Sequence, residues 1–289
     1  MGHLFLLDRE TGVPLFPVEE RPVPQTDVAG ETTSPTQPFP THPPPLHPHT
    51  LTVDDVFGFT PFDRGACRDL VEGLRNEGIF TPPSLRGSVL YPGTAGGSNW
   101  GTGAYDPHRK LLVLNLNRIG QSIRLVPRAD APTQDGRGVA EQAGAPYAAK
   151  GDVLLSPLGV PCSPLPWGSI LAVDLEAGEV VWERPFGTTR DMTPLPIALD
   201  FGLPSMGGPI VTAGGVAFIG AAMDDYIRAY DVETGEEVWR ERLPAGAQAT
   251  PMTYRLAEGG PQIVVIAAGG HDTMGTTPGD WLIAWALPR

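Results

Sequence analysis

Two cysteines, no long apolar run and no basic face set the first limits on this chain of 289 residues. A nucleic-acid surface needs clustered positive charge, and a net charge of −13 argues against one. No stretch approaches the roughly eighteen consecutive apolar residues of a membrane span. The opening Met1-Gly-His-Leu-Phe-Leu-Leu-Asp8 lacks a basic leader, and its apolar run is too short for a signal peptide. No His/Cys/Asp group has metal-ligand spacing, no glycine motif is built to cradle phosphate, and no Gly-x-Ser-x-Gly elbow occurs. Cys67 and Cys162 leave two readings open: one disulfide, worth about 4–5 kcal/mol by the chain-entropy model, or two buried thiols.

What the chain has in quantity is punctuation. Thirty-six glycines and 33 prolines against 18% charged residues suit many short strands and few helices. One phrase organises them: Ala229-Tyr-Asp231-Val-Glu-Thr234-Gly235-Glu-Glu-Val-Trp239. It recurs as Ala172-Val-Asp174-Leu-Glu-Ala-Gly178-Glu-Val-Val-Trp182, and more faintly as Leu6-Leu-Asp8-Arg-Glu-Thr11-Gly12-Val-Pro-Leu-Phe16. Each copy is a strand ending at Asp, a turn closing on Gly and a second strand ending in a large aromatic. The Gly supplies positive φ, the Asp accepts from turn N–H groups, and the aromatic is placed to pack on the next copy. Repeats with a period of roughly 50 residues point to a propeller or another array. Asp174 and Asp231 read as turn acids, and Trp182 and Trp239 as packing anchors.

Taken in order, residues 1–18 read as an outer hairpin, with Leu4 to Asp8 already a strand inside a repeat. Residues 19–84 are an excursion. Nine prolines between 22 and 50 exclude both ladder and helix there, and His42, His47 and His49 read as solvated loop residues. A helix is predicted over 61–77, with Thr60 as N-cap, Pro61 at N1, Asp63 in a capping box and Gly78 closing it. Cys67, Leu70, Val71 and Leu74 form its apolar face. Residues 85–185 read as a blade with a long insertion. Its strands are Ser88–Tyr91, Leu111–Leu114, Trp167–Asp174 and Val180–Arg184, and 129–152 reads as a polar loop. Residues 203–243 carry four short strands, one blade, and 245–289 a last blade. The fold class is thus all-β: about three four-stranded blades plus an outer hairpin, with one short helix.

Further phrases carry a family likeness. They are Glu77-Gly-Ile-Phe-Thr-Pro-Pro-Ser84, Asp106-Pro107 with Asn115-Leu-Asn117-Arg118, and Leu203-Pro-Ser-Met-Gly207-Gly208-Pro-Ile. Arg242-Leu-Pro-Ala-Gly-Ala-Gln-Ala-Thr-Pro-Met-Thr-Tyr254, Ala268-Gly-Gly-His271 and Gly279-Asp-Trp-Leu-Ile-Ala-Trp-Ala-Leu-Pro288 complete them. Together they resemble the C-terminal part of a pyrroloquinoline quinone (PQQ) dependent dehydrogenase of the membrane-bound glucose/quinate/shikimate group. The resemblance implies an eight-bladed propeller with PQQ on its axis and the repeated phrases as tryptophan docking motifs. It also implies oxidation of a sugar or cyclic polyol by hydride transfer to the quinone, with electrons passed to ubiquinone on the periplasmic side of the inner membrane. The catalytic aspartate, a quinone-contacting lysine and the ligands of Ca²⁺ or Mg²⁺ would lie in a missing N-terminal part of the propeller. The chain then reads as a fragment, inactive alone. The rival reading is a non-catalytic propeller scaffold that reuses docking repeats.

By the same resemblance Asn115 matches an asparagine that contacts PQQ, with Asn117 close by. An amide offers both donor and acceptor to a quinone oxygen or a carboxylate. Asn99 and Trp100 follow a glycine-rich turn, where an indole could cover the cofactor. Gly207 and Gly208 enter an innermost strand and would let backbone approach a flat ring. Gly269, Gly270 and His271 hold the corresponding place in the last blade. The bland alternatives are strand-end amides satisfying loop backbone, glycines at a tight strand crossing and a structural histidine.

Overall fold

The computed structural model describes residues 2–94, 96–98, 101, 103–131, 139–191 and 197–286. In chain order the first strands are β1 (Val18–Pro22), β2 (Thr36–Pro40), β3 (Ser88–Leu90), β4 (Ala104–Asp106) and β5 (Leu111–Asn117), with helix α1 (Pro61–Glu72) before β3. Then come β6 (Gln121–Pro127), β7 (Val139–Ala140), β8 (Tyr147–Val153), β9 (Gly168–Asp174) and β10 (Glu179–Pro185). The chain continues with β11 (Ile210–Val211), β12 (Val216–Ile219), β13 (Tyr226–Asp231), β14 (Glu237–Arg242), β15 (Met252–Tyr254), β16 (Ile263–Ala268) and β17 (Trp281–Ala286). The contacts divide these into two compact units: Met1–Gly97 with Arg118–Pro164, and Ser98–Asn117 with Leu165–Arg289.

The second unit holds three consecutive antiparallel sheets, ordered β4-β5-β9-β10, β11-β12-β13-β14 and β15-β16-β17. The repeated phrase builds the outer hairpins as its chemistry requires. Asp231 Oδ1 accepts from the N–H groups of Glu233 (3.0 Å) and Thr234 (2.8 Å), and Asp174 Oδ1 from those of Glu176 (2.8 Å) and Ala177 (2.9 Å). Gly235 and Gly178 follow at φ 68° and 69°, values that an L side chain adopts only under strain. The ladder shifts register after Val180 and after Ala229, so a bulge precedes each tryptophan. Trp182 then reaches the next sheet. Its indole N–H donates to the Val232 carbonyl at 2.8 Å, and its ring lies so close over Gly235 that a Cβ there would overlap it. Trp239 packs edge-on against Trp285 of the third sheet, with ring centroids 5.4 Å apart. Apolar side chains fill both junctions, Ile170, Phe186, Ile219 and Tyr230 at the first, and Phe218, Ile227, Val264 and Ile266 at the second.

The first unit contains the sheet β3-β6-β8-β7 and the separate pair β1-β2. Here the structure corrects several expectations. The proline-rich stretch does form a ladder, because its prolines occupy the permissive positions. Thr41 N–H donates to Pro17 O and Val23 N–H to Pro35 O, so the hydrogen-bonded pairs fall on odd residue numbers. Pro22, Pro38 and Pro40 sit at even positions, where no ladder donor is needed. Residues 129–152 are not a loop throughout, since β7 and all but the last residue of β8 lie within them, and β8 completes a seven-residue ladder with β6. The expected strand at Ser88 pairs with β6, apart from the sheet that contains β5.

Helix α1 starts as predicted, with the Thr60 hydroxyl accepting from Asp63 N–H at 3.1 Å. It ends at Glu72 rather than residue 77, because Arg75 already pairs its backbone with Gly87 and Val89. Cys67 and Cys162 form a disulfide that ties α1 to the 154–163 segment, and both lie in a core with Leu51, Val71, Tyr91 and Leu154. His42 is exposed, as expected. His47 is instead fully buried against Tyr91, with ring centroids 4.4 Å apart, and His49 is half-buried against His3 at 4.7 Å. Proline fixes its own φ and biases the residue before it towards extended backbone. It does not keep a side chain in solvent, and the aromatic neighbours supply the burial.

Candidate functional site

Strand β5 closes on Asn115-Leu-Asn117, and strand alternation puts both amides on one face with Leu116 opposite. Both are buried, and both are spent on one neighbour. Asn117 Oδ1 accepts from Ser205 N–H at 2.7 Å and from its hydroxyl at 3.2 Å, while its Nδ2 donates to Ser205 O at 2.9 Å. Asn115 Nδ2 donates to Ser205 Oγ at 2.7 Å and to Gly207 O at 3.3 Å. Backbone carbonyls accept only, so these bonds fix which way each amide points. Among the described residues no donor reaches Asn115 Oδ1.

The glycines follow the same theme of close crossing. Gly207 has φ 108°, and a Cβ on it would overlap the carbonyl of Gln248. Gly208 beside it is buried. Gly270 has φ 72°, donates to Gly246 O at 2.8 Å, and would drive a Cβ into the Thr277 carbonyl. Gly269 is exposed and meets no such obstacle. His271 is half-buried, and its N–H donates to Thr276 Oγ1 at 2.8 Å. That hydroxyl donates to Gln248 Oε1 at 3.0 Å, and Gln248 Nε2 donates to Ala222 O at 2.9 Å. The imidazole Nδ1 of His271 is buried with no hydrogen-bond partner among the described residues. Asn99 and Trp100 lie outside the described residues.

Asn115, Asn117 and Gly207 are thus brought together at one sheet end, and Gln248 links Gly207 towards His271. Ser205, Gln248 and Thr276 are the members that sequence reasoning missed. Each stands inside a quoted phrase or beside it, but a single serine, glutamine or threonine carries no signal until its partners are known. A second buried feature was also missed. Asp224 and Arg228 form a bidentate ion pair, and Asp224 Oδ2 also accepts from Thr188 N–H at 2.8 Å. The guanidinium lies 5.6 Å from the Phe186 ring centroid and 5.2 Å from that of Tyr226. Next to it, burial pushes the Asp225 carboxyl above its ordinary range, against a 2.9 Å hydrogen bond from Thr277. Among the described residues no group of three His, Cys, Asp or Glu could hold a metal ion.

Residues 1–264 match the family model of the PQQ glucose/ethanol/alcohol dehydrogenase β-propeller domain. The chain belongs to that family. It is 42% identical to the quinoprotein glucose dehydrogenase of Escherichia coli (strain K12) over 99% of its own length and 37% of the relative's. It is 37% identical to the quinate/shikimate dehydrogenase (quinone) of Acinetobacter baylyi, over 100% of this chain and 37% of that one. A solved europium-containing methanol dehydrogenase matches 99% of the chain and 43% of its own length, with a TM-score of 0.56 at 21% identity. The sheets described above are therefore part of a PQQ propeller, and the chain spans little more than a third of these curated relatives. The tryptophan contacts between sheets are the docking motifs that the resemblance implied.

Proposed function

We propose that this chain is the C-terminal arc of a PQQ-dependent sugar or polyol dehydrogenase and supplies one wall of the cofactor pocket. The supporting observation is the joint at the end of β5. Ser205 and Gly207 hold the Asn115 amide through its nitrogen, and among the described residues no donor reaches its oxygen. The Nδ1 of His271 is likewise buried with no partner among the described residues, as are Ser169 Oγ and Thr188 Oγ1 elsewhere in the unit. The Asn115 oxygen suits one edge of a polar quinone. When bound, PQQ would accept a hydride equivalent from the alcohol, and this chain's own part is to bind and orient it. Asn117, spent at both ends on Ser205, serves as a brace, and Gly207, Gly208 and Gly270 keep the crossing segments thin. Asn99 and Trp100 belong to the same proposal as a cover.

A divalent cation does not fit the described residues, which contain no ligand cluster. The Ca²⁺ or Mg²⁺ of such an enzyme, its catalytic base and its ubiquinone contact are assigned to the rest of the propeller. Membrane glucose and quinate/shikimate dehydrogenases are the reference for substrate class. The test joins this chain to the remaining propeller sectors of a relative and adds PQQ with Ca²⁺ or Mg²⁺. Quenching of tryptophan fluorescence is expected, and it should weaken in the Asn115→Ala variant. No quenching in the joined protein sinks the reading. The chain alone should show no dye-linked oxidation of glucose.

A further inference from the structure

A chain of hydrogen bonds fixes which end of the Asn115 amide faces away from the joint at the end of β5. It starts from groups that have no choice of role. Ser205 N–H donates to Asn117 Oδ1 at 2.7 Å, and Ser205 O accepts from Asn117 Nδ2 at 2.9 Å. A backbone N–H only donates and a carbonyl only accepts, so Asn117 has a single orientation. Its oxygen also takes the Ser205 hydroxyl, at 3.2 Å. A hydroxyl carries one proton, and Ser205 has thereby spent it. Towards Asn115 it can only accept.

The consequence falls on Asn115. Its Nδ2 must be the atom at Ser205 Oγ, 2.7 Å away, and the second hydrogen of that nitrogen goes to Gly207 O at 3.3 Å. Both hydrogens are thus used within the joint. Turning the amide over would set its oxygen against the Gly207 carbonyl and against a hydroxyl with no proton left to give. Asn115 and Ser205 are both buried, so solvent does little to soften that repulsion. The free end of the amide is an acceptor, and an acceptor only.

We propose that Ser205 is a positioning residue that commits this wall to a ligand bringing a hydrogen-bond donor. The group that meets Asn115 is an N–H or O–H, and neither a carboxylate nor a quinone oxygen fits there. Two sources share this chemistry: the pyrrole N–H of PQQ and a hydroxyl of the alcohol substrate. The inference builds on the cofactor wall proposed above and adds the polarity of its recognition. Ser205→Ala is the informative change. Asn117 keeps both of its bonds to the backbone of residue 205, and what is lost is the polarity lock on Asn115.

The experiment uses the chain joined to the remaining sectors of a glucose-oxidising relative. It reads PQQ affinity by tryptophan quenching and, separately, the KM for glucose, with folding of each variant checked by circular dichroism. If the pyrrole N–H is the donor, Asn115→Ala should weaken PQQ binding about tenfold and Ser205→Ala about threefold. The ring N–H proton of isotope-labelled PQQ should then resonate downfield in the wild-type complex and return in Asn115→Ala. If a substrate hydroxyl is the donor, PQQ affinity holds and the same losses appear in KM. One monodeoxyglucose should then give wild type and Asn115→Ala the same KM. In either arm the double variant should be no weaker than Asn115→Ala alone, since Ser205 acts through that amide. A Ser205→Ala protein that binds PQQ more tightly overturns the proposal, because an acceptor ligand gains from a freed amide. Unchanged PQQ affinity together with unchanged KM overturns it as well. Additive losses in the double variant do the same, by making Ser205 a merely structural support. Absence of quenching in the joined wild type is a separate result: it sinks the cofactor wall itself, and this inference with it.

Discussion

Gly235 shows how much a single atom decides in this molecule. It combines φ 68° with a tryptophan ring lying directly on its Cα. Gly235→Ala should therefore destabilise the second unit by about 2–3 kcal/mol, from backbone strain plus displacement of the indole. A red shift of tryptophan emission should accompany the drop in unfolding midpoint. The buried histidines give the second residue-scale prediction. Burial lowers the pKa of His47 to about 4, and its Nε2 has no partner among the described residues. Below an unfolded value near 6.5 the unfolded chain binds a proton that the folded chain refuses. Stability should thus be whole at neutral pH and fall as pH drops from about 6.5 towards 4. His47→Phe should flatten that decline in thermal melts taken across the range. An unchanged slope would mean that His47 protonates freely in the fold.

At the scale of elements, local chemistry was legible and distant pairing was not. The cap of α1, its Pro61 start and the three Asp-to-Gly turns could be read because each is a contract among residues within a few positions. Strand β2 was hidden by a rule about proline that holds only for ladder donors, and Pro38 and Pro40 fall between them. Strand β8, Tyr147-Ala-Ala-Lys-Gly-Asp-Val153, lacks clean apolar alternation because much of it is exposed and its support comes from β6 and β7. The Cys67–Cys162 disulfide was one of two open readings, since burial alone explains a cysteine equally well. Breaking it in the Cys67→Ala/Cys162→Ala variant should cost the first unit about 4–5 kcal/mol by the chain-entropy model. Chemical denaturation of oxidised wild type against that variant measures the difference.

For the whole molecule, recurrence made the propeller readable, because a repeat states its own spacing three times. The candidate site was read less completely. Asn115, Asn117 and Gly207 do meet, but the serine that joins them could be recognised only with coordinates. Nor did the sequence reveal how bare the last sheet is. On β17, Trp281 is 54% and Leu282 76% exposed along an edge that no described strand covers. Open apolar edges template aggregation. Leu282→Lys should raise the concentration at which the chain stays soluble while leaving its melting temperature within about 1 °C, since surface changes are close to neutral. Light scattering against concentration checks it.

The pairing of β5 with β9 has a consequence for synthesis. Leu111 faces Asp174 and Asn117 faces Gly168, yet Arg118–Pro164, part of the first unit, is threaded between the two strands. As the chain leaves the ribosome, β5 can meet β4 at once, but its other edge must wait until that whole stretch has been translated. Pauses or rare codons within 118–164 would lengthen its exposure to chaperones and proteases. Nascent-chain yield should respond to the speed of translation there more than to speed anywhere in the final two sheets, whose neighbouring strands are close in sequence and meet almost as soon as they are made.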